Sequence, residues 1–207
     1  LRSIDGFSEA LLDDYAERLD ADGKDCLYRV RAAAQRMGHL IDDMLKLARV
    51  TREEMHPGHV DLSKLARDLA DEFARADPQR SVVFSIAPEA TVTGDARFLR
   101  IALENLLGNA WKFTSRREHA QIEFGVEEKQ GERIFHVRDN GAGFDMANAS
   151  RLFEPFRRFH DSKDYPGTGV GLATVHRIIR RHGGRIWAEG RVDHGATVYF
   201  VLPGTTI

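Results

Sequence analysis

The sequence predicts an α+β protein: a helical hairpin followed by an α/β sandwich built on a mixed sheet. Three observations carry that expectation. Residues 23–50 repeat apolar side chains at alternating steps of three and four, the period of a packed helix. Residues 121–126 and 133–138 instead alternate at every second position, as half-buried strands do. Between these regions, a helix opening at Asp95 is apolar on most sides and therefore central and buried. At 207 residues, 42% of them hydrophobic, the chain can bury one large core or two small ones.

Taken in order, the first segment sets Ile4, Phe7, Leu11, Tyr15 and Leu19 on one helical face. Residues 19–23 read as the turn of an αα-hairpin, with Asp22 as the N-cap of the second helix. In that helix Leu27, Val30, Ala34, Met37, Ile41, Met44 and Ala48 form a heptad seam, widened by Leu40, Leu45 and Leu47. A lone hairpin with two apolar faces buries too little, so it should pair with a second copy as a dimeric four-helix bundle. His56-Pro57-Gly58 breaks the helix and divides a hairpin domain, 1–56, from a second domain, 57–207.

In the second domain Asp61 can cap a helix that carries Leu62, Leu65, Leu69 and Phe73 and stops near Asp77-Pro78. Strands are expected at 81–86 and 91–93, followed by the buried helix from Asp95 through Trp111. The strands at 121–126 and 133–138 join near Gln130-Gly131. Residues 140–167 are polar, lack periodicity and run long for an ordinary loop, which itself points to function. A helix at 169–182 and strands at 185–189 and 196–202 complete the domain.

Thirty basic against 32 acidic side chains leave a net charge of −2, so no global field draws the chain to nucleic acid or an anionic membrane. The arginine-rich stretch 177–185 reads as the wet face of a helix followed by a strand. No apolar run approaches the roughly 20 residues of a membrane helix, so direct membrane insertion is not expected, and no signal peptide is visible. The single Cys26 rules out an internal disulfide and fits a reducing compartment. It reads as a small helical hydrophobe without a catalytic role. The chain starts at Leu1 inside an apparent helix and so reads as a piece of something longer.

Three segments concentrate the chemistry. Asn105, Asn109 and Lys112 are spaced four and then three apart, so they share one helical face. An amide oxygen from Asn109 suits Mg²⁺, which keeps several waters and completes its shell with phosphates. Lys112 can offer charge to those phosphates. A polar stripe at the edge of a core helix is the plain alternative. Asp139 shares the parity of Phe135 and Val137, so its carboxylate should point inward at the strand end. That is costly unless it receives hydrogen bonds, and an adenine 6-amino group is a suitable donor. Gly141 and Gly143 would let the backbone approach the base closely. An ordinary Asp-Asn-Gly turn competes with this reading.

Gly167-Thr168-Gly169-Val170-Gly171-Leu172 lacks the Gly-Lys-Ser/Thr of a P-loop, and a polar loop rather than a strand precedes it. It does open a helix, whose free N–H groups and positive dipole end suit a triphosphate. A flexible glycine hinge would use the same residues, and both readings can hold together.

In this order the three segments resemble the ATP-binding domain of bacterial two-component sensor histidine kinases, in the group that includes gyrase B, Hsp90 and MutL. The resemblance extends over essentially all 207 residues. It implies ATP and Mg²⁺ as ligands, with Asn109 on the metal, Asn105 supporting it and Phe113 against the nucleotide. It also implies that Asp139 holds the adenine and that Thr197, after Gly195, makes the usual second contact through water. Residues 140–167 resemble the mobile ATP lid, in which Leu152-Phe153-Glu154-Pro155-Phe156 matches the Phe-rich box, an apolar anchor. Arg158 stands where the family places an arginine for the γ-phosphate, and Lys163 is a weaker candidate. The resemblance further implies a cytoplasmic kinase core, homodimeric through the hairpin, that phosphorylates a histidine and passes the phosphoryl group to an Asp of a response regulator receiver domain.

One departure stands out. The family's acceptor lies in a His-Glu/Asp-Leu-Arg-x-Pro-Leu motif, and Leu1-Arg2-Ser3-Ile4 resembles the stretch just beyond that motif. The acceptor is therefore expected less than two helical turns ahead of Leu1. None of the nine histidines stands in that context, and His39 looks like a surface bundle position. Two alternatives remain. An ATP hydrolase of the gyrase or Hsp90 kind puts a Glu at the position of Asn105 to activate water. Asn takes no proton, and Glu104 is rotated about 100° around the helix from there. A non-catalytic, ATP-responsive dimerisation module is the other.

Overall fold

The computed structural model describes residues 1–161 and 164–203, so Lys163 lies outside the described residues. It divides into two compact units, Leu1–Ala48 and Arg49–Ile207. Among the described residues no helix is long and apolar enough to cross a membrane.

The first unit is built from α1, Arg2–Asp14, and most of α2, Ala21–Arg52. The helix start differs from expectation. Asp20, rather than Asp22, takes the capping role, its Oδ1 accepting the Gly23 N–H at 2.8 Å. A cap must reach an N–H two or three residues ahead, and Asp22 already lies inside the first turn, where a carboxylate favours the helix dipole. Tyr15 and Leu19 fall beyond the end of α1, so that helix is shorter than its apolar pattern. Arg31 clamps the hairpin, donating to Asp5 at 3.0 Å and to Glu9 at 2.7 Å. Leu12 and Ala34 are buried, yet Phe7 and Ile41 remain 73% and 49% exposed, with Ile4, Leu11, Met37 and Met44 similarly open. One copy of the hairpin thus leaves most of its apolar stripe wet.

The second unit opens with β1, Gly58–Asp61, which pairs antiparallel with β3, Thr91–Gly94. Sequence pattern does not anticipate β1, because four residues with a single buried side chain, Val60, make no periodic signal. Asp61 caps α3, Leu62–Ala76, as expected, accepting from Lys64 N–H at 2.9 Å. The main sheet contains β2, Val82–Ile86; β4, Ala120–Lys129; β5, Glu132–Asp139; β6, Arg185–Arg191; and β7, Gly195–Val201. Its order is β2-β4-β5-β7-β6, with β2 and β4 parallel and every other pair antiparallel, hence a mixed sheet. A parallel pair needs a crossover, and α4, Ala96–Phe113, lies within it. Gln130 and Gly131 both adopt positive φ, 56° and 76°, the two-residue turn that fits a twisted hairpin.

Ile122, Phe124, Phe135, Val137 and Phe200 line one face of the sheet. They share a core with Leu99, Leu103 and Leu107 of α4 and with Val175, Ile178 and Ile179 of α5, Gly171–Arg181. The last turn of α2 belongs to this unit rather than to the hairpin. Val50 is buried in its core, and Arg181 donates to the carbonyls of Val50 and Glu53. The compact division therefore falls after Ala48, ahead of the expected break at His56-Pro57. Arg181 also departs from the wet-face reading, whereas Arg177, Arg180 and Arg185 are exposed.

Candidate functional site

The geometry of the site starts with Asp95, the N-cap of α4. Its buried carboxylate accepts from the N–H groups of Arg97 at 3.0 Å and His56 at 2.8 Å, and from the Arg97 guanidinium at 2.9 Å. Burial pushes this carboxyl up, but the hydrogen bonds from Arg97, His56 and Phe98 outweigh it and hold it well below the usual range. So fixed, α4 turns Asn105, Asn109 and Lys112 toward one half-buried edge. Asn105 donates from Nδ2 to Ile101 O at 2.8 Å. Its Oδ1 lies where a Cβ on Gly171 would come within 2.6 Å, so only glycine lets the first turn of α5 approach α4 this closely.

Asn109 and Lys112 are the unbalanced members of the trio. The half-buried Asn109 amide has no hydrogen-bond partner among the described residues. Lys112 has no acidic partner among them; burial, and then the charge of Arg158, push its ammonium down to about 8. A Cβ on Gly167 would stand 3.3 Å from Lys112 Nζ, which places the glycine-rich segment beside it. Arg158 donates to the carbonyls of Gly167 at 2.6 Å and Tyr165 at 2.8 Å, and meets no acid among the described residues. Val170 N-caps α5 without any side-chain cap, its N–H reaching Thr168 Oγ1 at 3.4 Å. Val170 is buried and Leu172 packs against the core.

At the other end of the strip, Asp139 closes β5. Its carboxylate accepts from Gly141 N–H at 2.8 Å and from the backbone N–H of Ala196. Burial still lifts it to about 6, against those hydrogen bonds and the nearby Arg117 charge. The Gly141 backbone presses on α4: a Cβ there would come within 2.5 Å of Phe113 O, and Ala142 N–H donates to that same oxygen at 3.1 Å. Gly143 turns with φ of 62°, where the carbonyls of Arg191 and Gly195 leave no room for a Cβ. Asp139, Phe113, Lys112, Gly167 and Arg158 thus form one continuous strip along the end of α4.

Residues 94–206 match the model of the histidine kinase-, DNA gyrase B- and HSP90-like ATPase family. The chain belongs to this family. Residues 1–53 match the His Kinase A (phospho-acceptor) domain, so the two units are those of a sensor histidine kinase core. The methanogenesis regulatory histidine kinase FilI of Methanothrix harundinacea is 36% identical over 207 residues, 98% of this chain and 23% of that protein. Cyanobacterial phytochrome A of Nostoc sp. is 32% identical over 203 residues, 98% of this chain and 26% of that protein. Full-length ShkA, solved in complex with AMPPNP, superposes with a TM-score of 0.68 at 25% identity, covering 100% of this chain and 44% of that one. The chain spans about a quarter of the length of these sequence relatives.

Within this kinase core Thr197 stands apart from Asp139: it pairs with Arg138, and its Oγ1 accepts from Arg138 Nε at 3.4 Å on the far face of the sheet. The residue across from Asp139 is Ala196, which contributes its backbone N–H. Strand parity decides this, since adjacent strand residues point to opposite faces. Other residues at the site had no sequence signal. Arg117 ties the carbonyl of Gly141 at 3.0 Å to that of Asp193 at 2.5 Å. His160 and Tyr165 pack against Phe113, with ring centroids 5.0 and 5.1 Å away. All three lie in or beside polar loops, where no periodicity singles out one residue.

The raised Asp139 carboxyl sets a stability prediction. It holds its proton up to about 6 in the folded chain, against an ordinary 3.8, so folding takes up a proton between those values. Native stability therefore falls as pH rises through that window, and the deficit is complete above it. Asp139→Asn should stabilise the fold at pH 7 by up to about 3 kcal/mol, since the shift spans roughly two pKa units and one unit is about 1.4 kcal/mol. The gain should vanish below about pH 4. Urea unfolding at both pH values tests this; a variant less stable than the parent at pH 7 would contradict it.

Proposed function

We propose that this chain binds Mg-ATP along the strip from Asp139 to the first turn of α5. It then passes the γ-phosphoryl group to a histidine, as the catalytic core of a cytoplasmic, homodimeric sensor histidine kinase. The acceptor is a histidine imidazole, and an Asp of a response regulator receiver domain takes the phosphoryl group onward. The observation that carries this reading is the charge imbalance at one end of α4. Lys112 and Arg158 stand together without an acid among the described residues, beside an uncapped helix N-terminus and the unpartnered Asn109 amide. A phosphate chain supplies the missing negative charge and acceptors.

The residues fit a Mg²⁺ ion of this type. No cluster of three His, Cys, Asp or Glu side chains among the described residues could hold a metal alone. Mg²⁺ on a nucleotide needs only one or two protein ligands beside phosphates and water, and the Asn109 amide oxygen serves as one. When bound, the ion neutralises charge on the phosphates. Lys112 and Arg158 orient the γ-phosphoryl group, and the N–H groups of α5 hold the oxygens that remain. A neutral imidazole needs no base to attack, so positioning dominates the rate. At the base end, Asp139 accepts the adenine amino group while Gly141 and Gly143 permit close backbone approach.

Transfer is favoured over hydrolysis by Asn105. Its amide is engaged with Ile101 and takes no proton from water, while Glu104 is exposed on a rotated face. Water therefore has no base at the γ-phosphate. The hairpin supplies the dimer, because its exposed stripe needs a second copy to become buried.

Two outcomes are expected. Full-length protein given labelled ATP should acquire acid-labile, base-stable label on a histidine. Asn109→Ala should abolish that label and weaken Mg-ATP far more than metal-free ATP. Rapid ATP hydrolysis without phosphohistidine would instead favour a gyrase-like hydrolase. For the dimer, burying one large side chain contributes roughly 1.5–3 kcal/mol. Ile41→Asp should therefore split the protein into monomers in sedimentation velocity, whereas an unchanged sedimentation coefficient would remove the Met37, Ile41 and Met44 layer from the interface.

A further inference from the structure

Phe113 is covered by two rings that the proposed mechanism does not use. His160 lies 5.0 Å from it at 46°, Tyr165 lies 5.1 Å from it at 54°, and the two are 5.3 Å apart, edge on. Rings in contact sit about 4.5–7 Å apart, so all three pairs already touch and no base fits between them. His160 also hydrogen-bonds through Nε2 to the carbonyl of Gly143 at 2.8 Å. A carbonyl only accepts, so Nε2 carries the proton. Arg116 fastens the same segment from outside, pairing with Asp164 at 2.5 Å while its guanidinium lies 5.4 Å over the Tyr165 ring.

Imidazole is a flat heteroaromatic ring with an N–H donor, and so is the amino-bearing edge of adenine. His160 sets that chemistry against the groups assigned to the base, namely the Phe113 ring and the backbone around Gly143. We infer that His160 is an internal stand-in for the nucleotide base, held on the base floor until a base displaces it. The inference rests on the base site proposed above. Among the described residues no hydrogen bond links His160 to Asn109 or to the α5 N-terminus, so the competition concerns the base and not the phosphates. The measured affinity for ATP is then lower than the intrinsic one by the fraction of molecules in which His160 has moved away.

The test compares the full 207-residue chain with its His160→Ala variant in titrations with ATP, ADP and inorganic tripolyphosphate, which has no base. His160→Ala should tighten ATP and ADP by roughly three- to tenfold, the worth of one net hydrogen bond, and leave tripolyphosphate unchanged. His160→Phe keeps a ring on Phe113 without the N–H, and should fall between the two. Unchanged or weaker ATP binding by His160→Ala overturns the inference. Equal tightening of tripolyphosphate also overturns it, because the effect would then lie in the loop as a whole. Asp139→Asn, run in parallel, separates the two levels. If it leaves ATP affinity intact, the base site itself is misplaced; if it weakens ATP while His160→Ala does nothing, only the stand-in role fails.

Discussion

Asp95 holds the start of α4 through the N–H groups of His56, Arg97 and Phe98 and through the Arg97 guanidinium. Its own N–H donates to His182 Nε2 at 3.0 Å, which joins the same point to the end of α5. The rest of the unit depends on this anchor. It sets the rotation of a helix whose inner side, Leu99, Leu103 and Leu107, fills the core. That rotation fixes where Asn105, Asn109 and Lys112 emerge, four and three residues apart, on the opposite edge. A turn of the helix by one residue would bury the amides and expose the leucines. Core packing therefore positions the site to within a fraction of a helical turn.

The site itself is a set of groups that the protein leaves unbalanced. Burial pushes Lys112 down to about 8 and Asp139 up to about 6, each toward its neutral form. Both shifts destabilise the charged states that a nucleotide would use, an ammonium for phosphate and a carboxylate for an amino group. The glycines along this strip serve close approach: Gly141, Gly143 and Gly171 bring backbone and helix together where any side chain would collide. Stability given up along this strip is recovered when a ligand restores the missing partners.

Much of this was legible from sequence because the informative residues sit on periodic elements. The α4 trio follows from helical spacing, and the inward carboxylate of Asp139 follows from the parity of Phe135 and Val137, which share its face. The turn at Gln130-Gly131 follows from the positive φ that such residues tolerate. The misses have physical causes of equal clarity. β1 is too short to show alternation. Asp20 displaced Asp22 as cap because cap geometry is set by one residue, inside the usual error of a helix boundary. Thr197 is named by resemblance and not by strand parity, and it emerges on the opposite face of the sheet from Asp139 because successive strand residues alternate. His160, Tyr165 and Arg117 act through tertiary contacts from loops, which leave no local trace. His136 shows the same limit on the outer face. It is buried with neither ring nitrogen hydrogen-bonded, a placement that the bare space of Gly125 allows and that alternation alone would have left wet.

The claim that Asp139 and Lys112 are poised for a nucleotide is tested most directly by the protons exchanged on binding. Calorimetry of ADP binding in buffers of different ionisation enthalpy measures that exchange. An amino group on Asp139 draws its pKa down, so protons should be released near pH 6. Phosphates beside Lys112 draw its pKa up, so protons should be taken up near pH 8. Asp139→Asn should abolish the release and Lys112→Met the uptake, each leaving the other in place. ADP binding with the same proton exchange in the parent and both variants would contradict the account.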